Sequence, residues 1–202
     1  MVIEHNLVGL PNCKEMIIAR NQAPILALVV TLSLLCWSIL VWLVYDMCNP
    51  IAMMTMPMSP SWLSVNFVAV FLMWTIMMAA MMLPSALPMI LLHHKMSGGS
   101  FVGTNTTVFM VAYLVIWSVF SAVAVLIQFV THNLGLLNPS SLTVSSLISG
   151  IVLLLAGGFQ FTKLKETCLR ACQSPAGFFM SRWEGGAKGS FKMGLSHGLF
   201  CL

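Results

Sequence analysis

What this sequence most lacks is charge. Only 7% of its 202 residues are Asp, Glu, Lys or Arg and 59% are hydrophobic, whereas a soluble domain carries about a quarter charged residues. That excludes an ordinary water-soluble domain and places the chain in a lipid bilayer. The net charge of +4 comes from basic residues scattered over several loops, so there is no nucleic-acid footprint. The apolar runs contain no acidic residue, and Asp46 stands at the outer end of the first. A conventional proton-coupled transporter, which relies on an intramembrane carboxylate or histidine relay, is therefore not expected. A glycine-rich phosphate loop with its lysine is missing, as is a Ser/His/Asp arrangement in convincing context, so the chain is not expected to be an enzyme. Six cysteines are too few for a small disulfide scaffold. Cys36 lies mid-span and reads as a packed thiol. The N-terminus does not read as a cleavable signal, because Lys14, Glu15 and Arg20 precede an apolar run longer than an h-region, without a small-x-small cleavage site.

What is present is a series of long apolar runs. A bilayer takes about 20 apolar residues to cross, and residues 24–45, 62–92, 107–130 and 142–162 meet that length. A fifth run, 191–202, is the start of a further span. The expected fold is an all-α integral membrane protein: a helical bundle of four complete transmembrane helices plus the start of a fifth. Residues 1–23 form an N-terminal segment and 24–202 a single transmembrane domain, and no internal repeat or linker divides it.

Lysine and arginine orient the spans. Lys14 and Arg20 precede the first and Lys95 follows the second, while the loops 47–61 and 131–141 carry none. After the fourth come Lys163, Lys165, Arg170, Arg182, Lys188 and Lys192. The alternation predicts a cytoplasmic N-terminus in a membrane such as the bacterial inner membrane. The fourth span also carries "SSLISG", which pairs Ser145 with Ser149 and Ser146 with Gly150. Such small-xxx-small spacing lets helices approach closely, and Gly157 and Gly158 read the same way.

Sulfur is abundant. The stretch "MWTIMMAAMMLPSALPM" (73–89) sits inside the second span with six methionines and two prolines. Met73, Met77 and Met81 recur at steps of four and cover about 80° of a helix. Met78 and Met82 form a second pair. The loop "MCNPIAMMTMPM" (47–58) adds Cys48 and five methionines, including Met53, Met54, Met56 and Met58. Soft thioethers prefer Cu(I), but methionine also fills irregular gaps in a core, and both readings stand. Pro84 and Pro88 remove the hydrogen bonds to the carbonyls of Ala80 and Pro84, so the second helix is expected to kink there.

The expected cytoplasmic end gathers more ligand-like residues. His93 and His94 close the second span, Cys168 and Cys172 follow the fourth at one-turn spacing, and His197 and Cys201 repeat that spacing in the fifth. Thiolate with imidazole suits Cu(I) or Zn(II). Cys168, Cys172, His197 and Cys201 are the candidate inner ligands, with His93 and His94 in reserve. In a reducing compartment the same cysteines could equally be packed, unliganded thiols.

Three stretches carry a family resemblance: "MWTIMMAAMMLPSALPM", "FTKLKETCLRACQSP" and "GAKGSFKMGLSHGLFCL". They resemble the DUF2182 family of predicted metal-binding integral membrane proteins, some of them described as copper chaperones. The likeness runs from about Trp62 onward. In that family the last stretch continues into a cysteine-rich "GCCW" segment, which does not follow here, and a basic residue stands where this chain has Gln173. The resemblance implies copper as the bound metal. Two functions follow from sulfur, imidazole and family together. One is Cu(I) binding or delivery, with an apo-cuproenzyme in the same membrane as one destination. The other is a non-catalytic accessory subunit packed against a larger membrane complex.

Overall fold

In lipid the backbone must satisfy its own hydrogen bonds, and a long apolar segment does so as a helix. The computed structural model describes residues 13–57, 62–97, 102–136, 146–163 and 175–202, and it is all-helical, with no strand among them. The helices are α1 (Cys13–Tyr45), α2 (Pro50–Thr55), α3 (Ser64–Met96), α4 (Val102–Asn133), α5 (Ser146–Gln160), α6 (Pro175–Arg182) and α7 (Gly186–Cys201). Three are long and apolar enough to cross a membrane: Gln22–Tyr45 within α1, then α3 and α4. The fourth expected span appears among the described residues as the 15-residue α5, short of a crossing by itself.

Local chemistry sets several helix ends. Asn49 caps α2, its side chain accepting from the Ile51 N–H at 3.0 Å, and Pro50 occupies the first turn, where a missing N–H costs nothing. Gly135, at φ +66°, closes α4. Its N–H donates to the His132 carbonyl and the next N–H, of Leu136, to that of Thr131, both at 3.1 Å, the two bonds of a Schellman motif. α3 continues through Pro84 and Pro88 to Met96, with both prolines exposed. Nearby, the Met82 carbonyl accepts from Ser85 Oγ at 2.9 Å and from the Tyr113 hydroxyl of α4 at 3.4 Å.

Helices α1, α3 and α4 pack in antiparallel sequence. Gln22 Nε2 donates to the Leu91 carbonyl at 3.4 Å, tying the start of α1 to the end of α3. Trp74 Nε1 donates to Gln128 Oε1 at 2.8 Å, joining the first half of α3 to the last turns of α4. The buried core lies toward the other end of α3. There Leu83, Met89 and Ile90 meet Phe109 and Tyr113 of α4, Phe179 of α6 and Met193 of α7. Leucines, valines and tryptophans of α1 face outward, among them Leu34, Trp37 and Val44, as lipid contact requires.

α7 runs parallel to α4, because Gly194 meets Phe109 and Ala112 while Gly198 meets Ile116. A Cβ on Gly194 would lie 2.4 Å from the Phe109 carbonyl oxygen, and one on Gly198 would lie 2.9 Å from Ile116 Cβ. The backbones touch because these two residues have no side chain. Small-residue packing was expected in the fourth span and is found here instead: α5 has no buried residue, and nothing lies within 4 Å of a Cβ built on Gly150, Gly157 or Gly158. The reason is that spacing alone allows a close approach without requiring one.

Candidate metal centre

The close approach of α7 to α4 buries His197 and half-buries Cys201. They sit one turn apart on one face of α7, with Cys201 Sγ 3.6 Å from His197 Nε2 and 3.8 Å from Nδ1. An ion bound tetrahedrally to a nitrogen at about 2.0–2.1 Å and a thiolate at about 2.3 Å holds those donors about 3.6 Å apart. The near-equal distances to the two nitrogens are those of a direct sulfur–imidazole contact, with the sulfur beside the ring, and a bridging ion would require the Cys201 side chain to turn toward the lone pair of one nitrogen. The His197 ring is 2% exposed. It stacks on Tyr113 at 5.3 Å and on Phe109 at 6.0 Å, and Phe178 meets it edge-on at 5.9 Å. This aromatic setting excludes water from the imidazole.

Depth distinguishes the two histidine positions. Gly198 lies against Ile116, near the middle of the 32-residue α4, so His197 and Cys201 stand well inside the bundle. His93 lies in the last turn of α3, where its Nε2 is 3.1 Å from Ser190 Oγ and its Nδ1 is 3.3 Å from Ser97 Oγ. Ser190 Oγ also donates to the Gly186 carbonyl at 3.0 Å, which leaves it to accept from an Nε2–H of His93. Both nitrogens of this fully buried ring thus have hydroxyl partners. Seven residues of helix, a rise of about 10 Å, separate Ser190 from His197. Phe109 fills the gap, stacked on His93 at 4.8 Å and on His197 at 6.0 Å. His94 Nδ1 is 3.3 Å from Thr106 Oγ1 at the start of α4.

Of the other expected ligands, Cys168, Cys172 and Met58 lie outside the described residues. Met73 and Met77 are half-buried and Met81 is exposed, whereas Met78 and Met89 are buried in the core. The inward side of α3 is thus marked by Met78 and Met89 rather than by the step-of-four stripe. Met53 and Met56 line one cavity at the opposite end of the bundle, and Met54 is exposed and not part of that lining.

Among the described residues no group of three or more His, Cys, Asp or Glu side chains converges on one point. The deep pair supplies two donors, and a thioether is the natural third. Met193 is buried one turn before His197 on the same helix face. The spacing Met193-x-x-x-His197-x-x-x-Cys201 was visible in the sequence but was masked by the richer methionine runs upstream.

Comparison with known proteins adds one finding. A family model described as PpoB2, copper chaperone, matches residues 71–202, and no curated protein or solved structure matches.

Proposed function

We propose that this chain, which belongs to the PpoB2 family of copper chaperones, carries Cu(I) within the membrane on His197 and Cys201. The observation that carries the reading is the 3.6 Å separation of Cys201 Sγ from His197 Nε2, within an aromatic enclosure made by Phe109, Tyr113 and Phe178. Cys201 supplies a thiolate and His197 a neutral imidazole nitrogen, with Met193 as the thioether one turn below. A thiolate cancels the charge of Cu(I), so the loaded site is neutral, as an apolar interior requires. Cys172 stands six residues before Phe178, which meets His197. Cys168 and Cys172 serve in this reading as acceptors that exchange copper with the deep pair from one side of the membrane. The lysine and arginine pattern makes that side the cytoplasm, and an apo-cuproenzyme in the same bilayer is the client.

Thioether, imidazole and thiolate bind Cu(I) with increasing strength in a graded set, which lets the ion move by ligand exchange without a trap. X-ray absorption of the Cu(I)-loaded full chain should show an imidazole in the copper's coordination shell. His197→Ala should remove that signature, and Cys201→Ser should weaken binding by more than the roughly 10–100-fold that loss of a supporting residue costs. Copper that keeps its imidazole in His197→Ala refutes the assignment.

A further inference from the structure

The cavity at the end of the bundle remote from His93 has no part in the deep pair. It has a volume of about 590 Å³ and is lined by Met47, Cys48, Met53 and Met56, with Ala52, Pro57 and Asn66 completing its walls. These residues precede the family-matched region, which begins at residue 71. We propose that this cavity is a second, independent site for a soft monovalent cation, Cu(I), held by three thioethers and one thiolate. The identity of the ion rests on the copper reading above; the sulfur donor set is a property of the cavity itself.

The local fold selects which sulfur side chains line the cavity, Met47, Cys48 and Met53 from its exposed side. Asn49 caps α2 and Pro50 begins it, so Met53 and Met56 fall three residues apart on one face. Met54 is not part of the lining. Met47 and Cys48 come from the turn that ends α1, which the Asn49 N–H ties to the Asp46 carbonyl at 3.1 Å. α2 is itself fastened down. Its Ala52 and Thr55 are buried, and Asn66 Nδ2 donates to the Met54 carbonyl at 3.2 Å while Asn66 Oδ1 accepts from the Leu63 N–H at 3.0 Å. The two chain segments that supply the sulfurs are thus held against the start of α3.

The chemistry of the lining selects the ion. Thioethers are poor ligands for Mg²⁺ or Ca²⁺ and good ones for Cu(I). Asn66 contributes an amide and no lining residue is a carboxylate, so a hard divalent ion would have little to bind. On loading, Cys48 releases one proton to solvent and its sulfur bonds the ion. Copper arrives and stays as Cu(I), no electron moves, and the product is neutral. Asp46, next to Met47 in the chain and exposed, places a negative charge near the opening and raises the local cation concentration.

Size sets the affinity. A cavity of about 590 Å³ is far larger than one ion, so the flexible methionine side chains must close around the guest. Ordering them opposes binding, and Cys48 is exposed, so the ion exchanges readily with solvent. The deep pair is enclosed and this site is open: the open one loads first.

The test uses the full chain carrying Cys168→Ser, Cys172→Ser, His197→Ala and Cys201→Ser, titrated anaerobically with Cu(I) against a chromophoric chelator. This variant should still bind one Cu(I), with only sulfur in its coordination shell, and the ion should protect Cys48 from alkylation. Adding Met47→Leu, Met53→Leu and Met56→Leu keeps bulk and apolarity and should abolish that binding. Cys48→Ser, at an exposed position that does not threaten folding, should weaken it by more than the roughly 10–100-fold of a supporting residue. Copper retained with all three leucines present overturns the proposal and marks the methionines as an apolar, lipid-facing lining. That four-substitution chain binding no copper, beside a wild type that binds one, overturns it too while leaving the deep site standing. If the wild type binds none, both assignments fall.

Discussion

Helices α5 and α7 are of similar length, 15 and 16 residues, and both carry small residues four apart, yet α7 is packed and α5 has no buried residue. Their polar content accounts for the contrast. α5 reads "SLISGIVLLLAGGFQ", apolar for most of its circumference, and lipid can solvate every side of it. α7 carries Lys188, Ser190, Lys192, Ser196 and His197, against Ser146, Ser149 and Gln160 in α5, and polar groups at membrane depth need protein partners. Ser190 finds His93, and His197 finds a stack of aromatic rings. Small residues permit contact between helices, and buried polar groups compel it.

That contrast can be broken at its strongest point by Gly194→Ala. The new methyl group would lie 2.4 Å from the Phe109 carbonyl oxygen, a backbone atom that cannot swing aside. The expected loss is about 3 kcal/mol, read as a lower thermal midpoint in detergent together with faster alkylation of Cys201. A midpoint equal to wild type would mean that α7 does not rest on α4. A smaller effect is expected from Ser190→Ala, which leaves His93 Nε2 buried without its hydroxyl. The cost should be about 1–2 kcal/mol, and the same denaturation measurement in Ser190→Thr should recover most of it. Smallest of all is Gly150→Ala in α5. With nothing within 4 Å, the methyl group meets open space and adds helix propensity, so stability should hold or rise by up to about 1 kcal/mol. A marked loss there would show that α5 has a packed face after all.

Much of the fold was legible because membrane burial writes itself into composition. Apolar length marks α1, α3 and α4, whereas α2 (Pro50–Thr55) lies in a stretch that reads as a loop, its six residues being too short for a hydrophobic period to show. The pairing of His197 with Cys201 was legible for a similar reason: one turn of helix fixes it locally. Depth was not legible. It depends on α7 lying parallel to α4 at Gly194 and Gly198, contacts made across more than 80 residues of chain. The same limit applies to His93. Its place at a helix end suggested a spare ligand, whereas its nitrogens are engaged by Ser97 and by Ser190, 97 residues away. In the methionine loop the composition was plain but the placement was not, since the helix that Asn49 caps sets Met53 and Met56, and not Met54, along the cavity.

The parallel alignment of α4 with α7 also has a consequence in time. Gly194 leaves the ribosome about 80 residues after Ala112, which at about 5–20 residues per second is a wait of roughly 4–16 s. During that interval the face of α4 that bears Phe109, Ala112 and Ile116 must be covered by lipid or by the insertion machinery. His197 has no aromatic enclosure until α7 arrives. The donor pair is therefore assembled well after α4, and a nascent chain cannot capture metal there before α7 is in place.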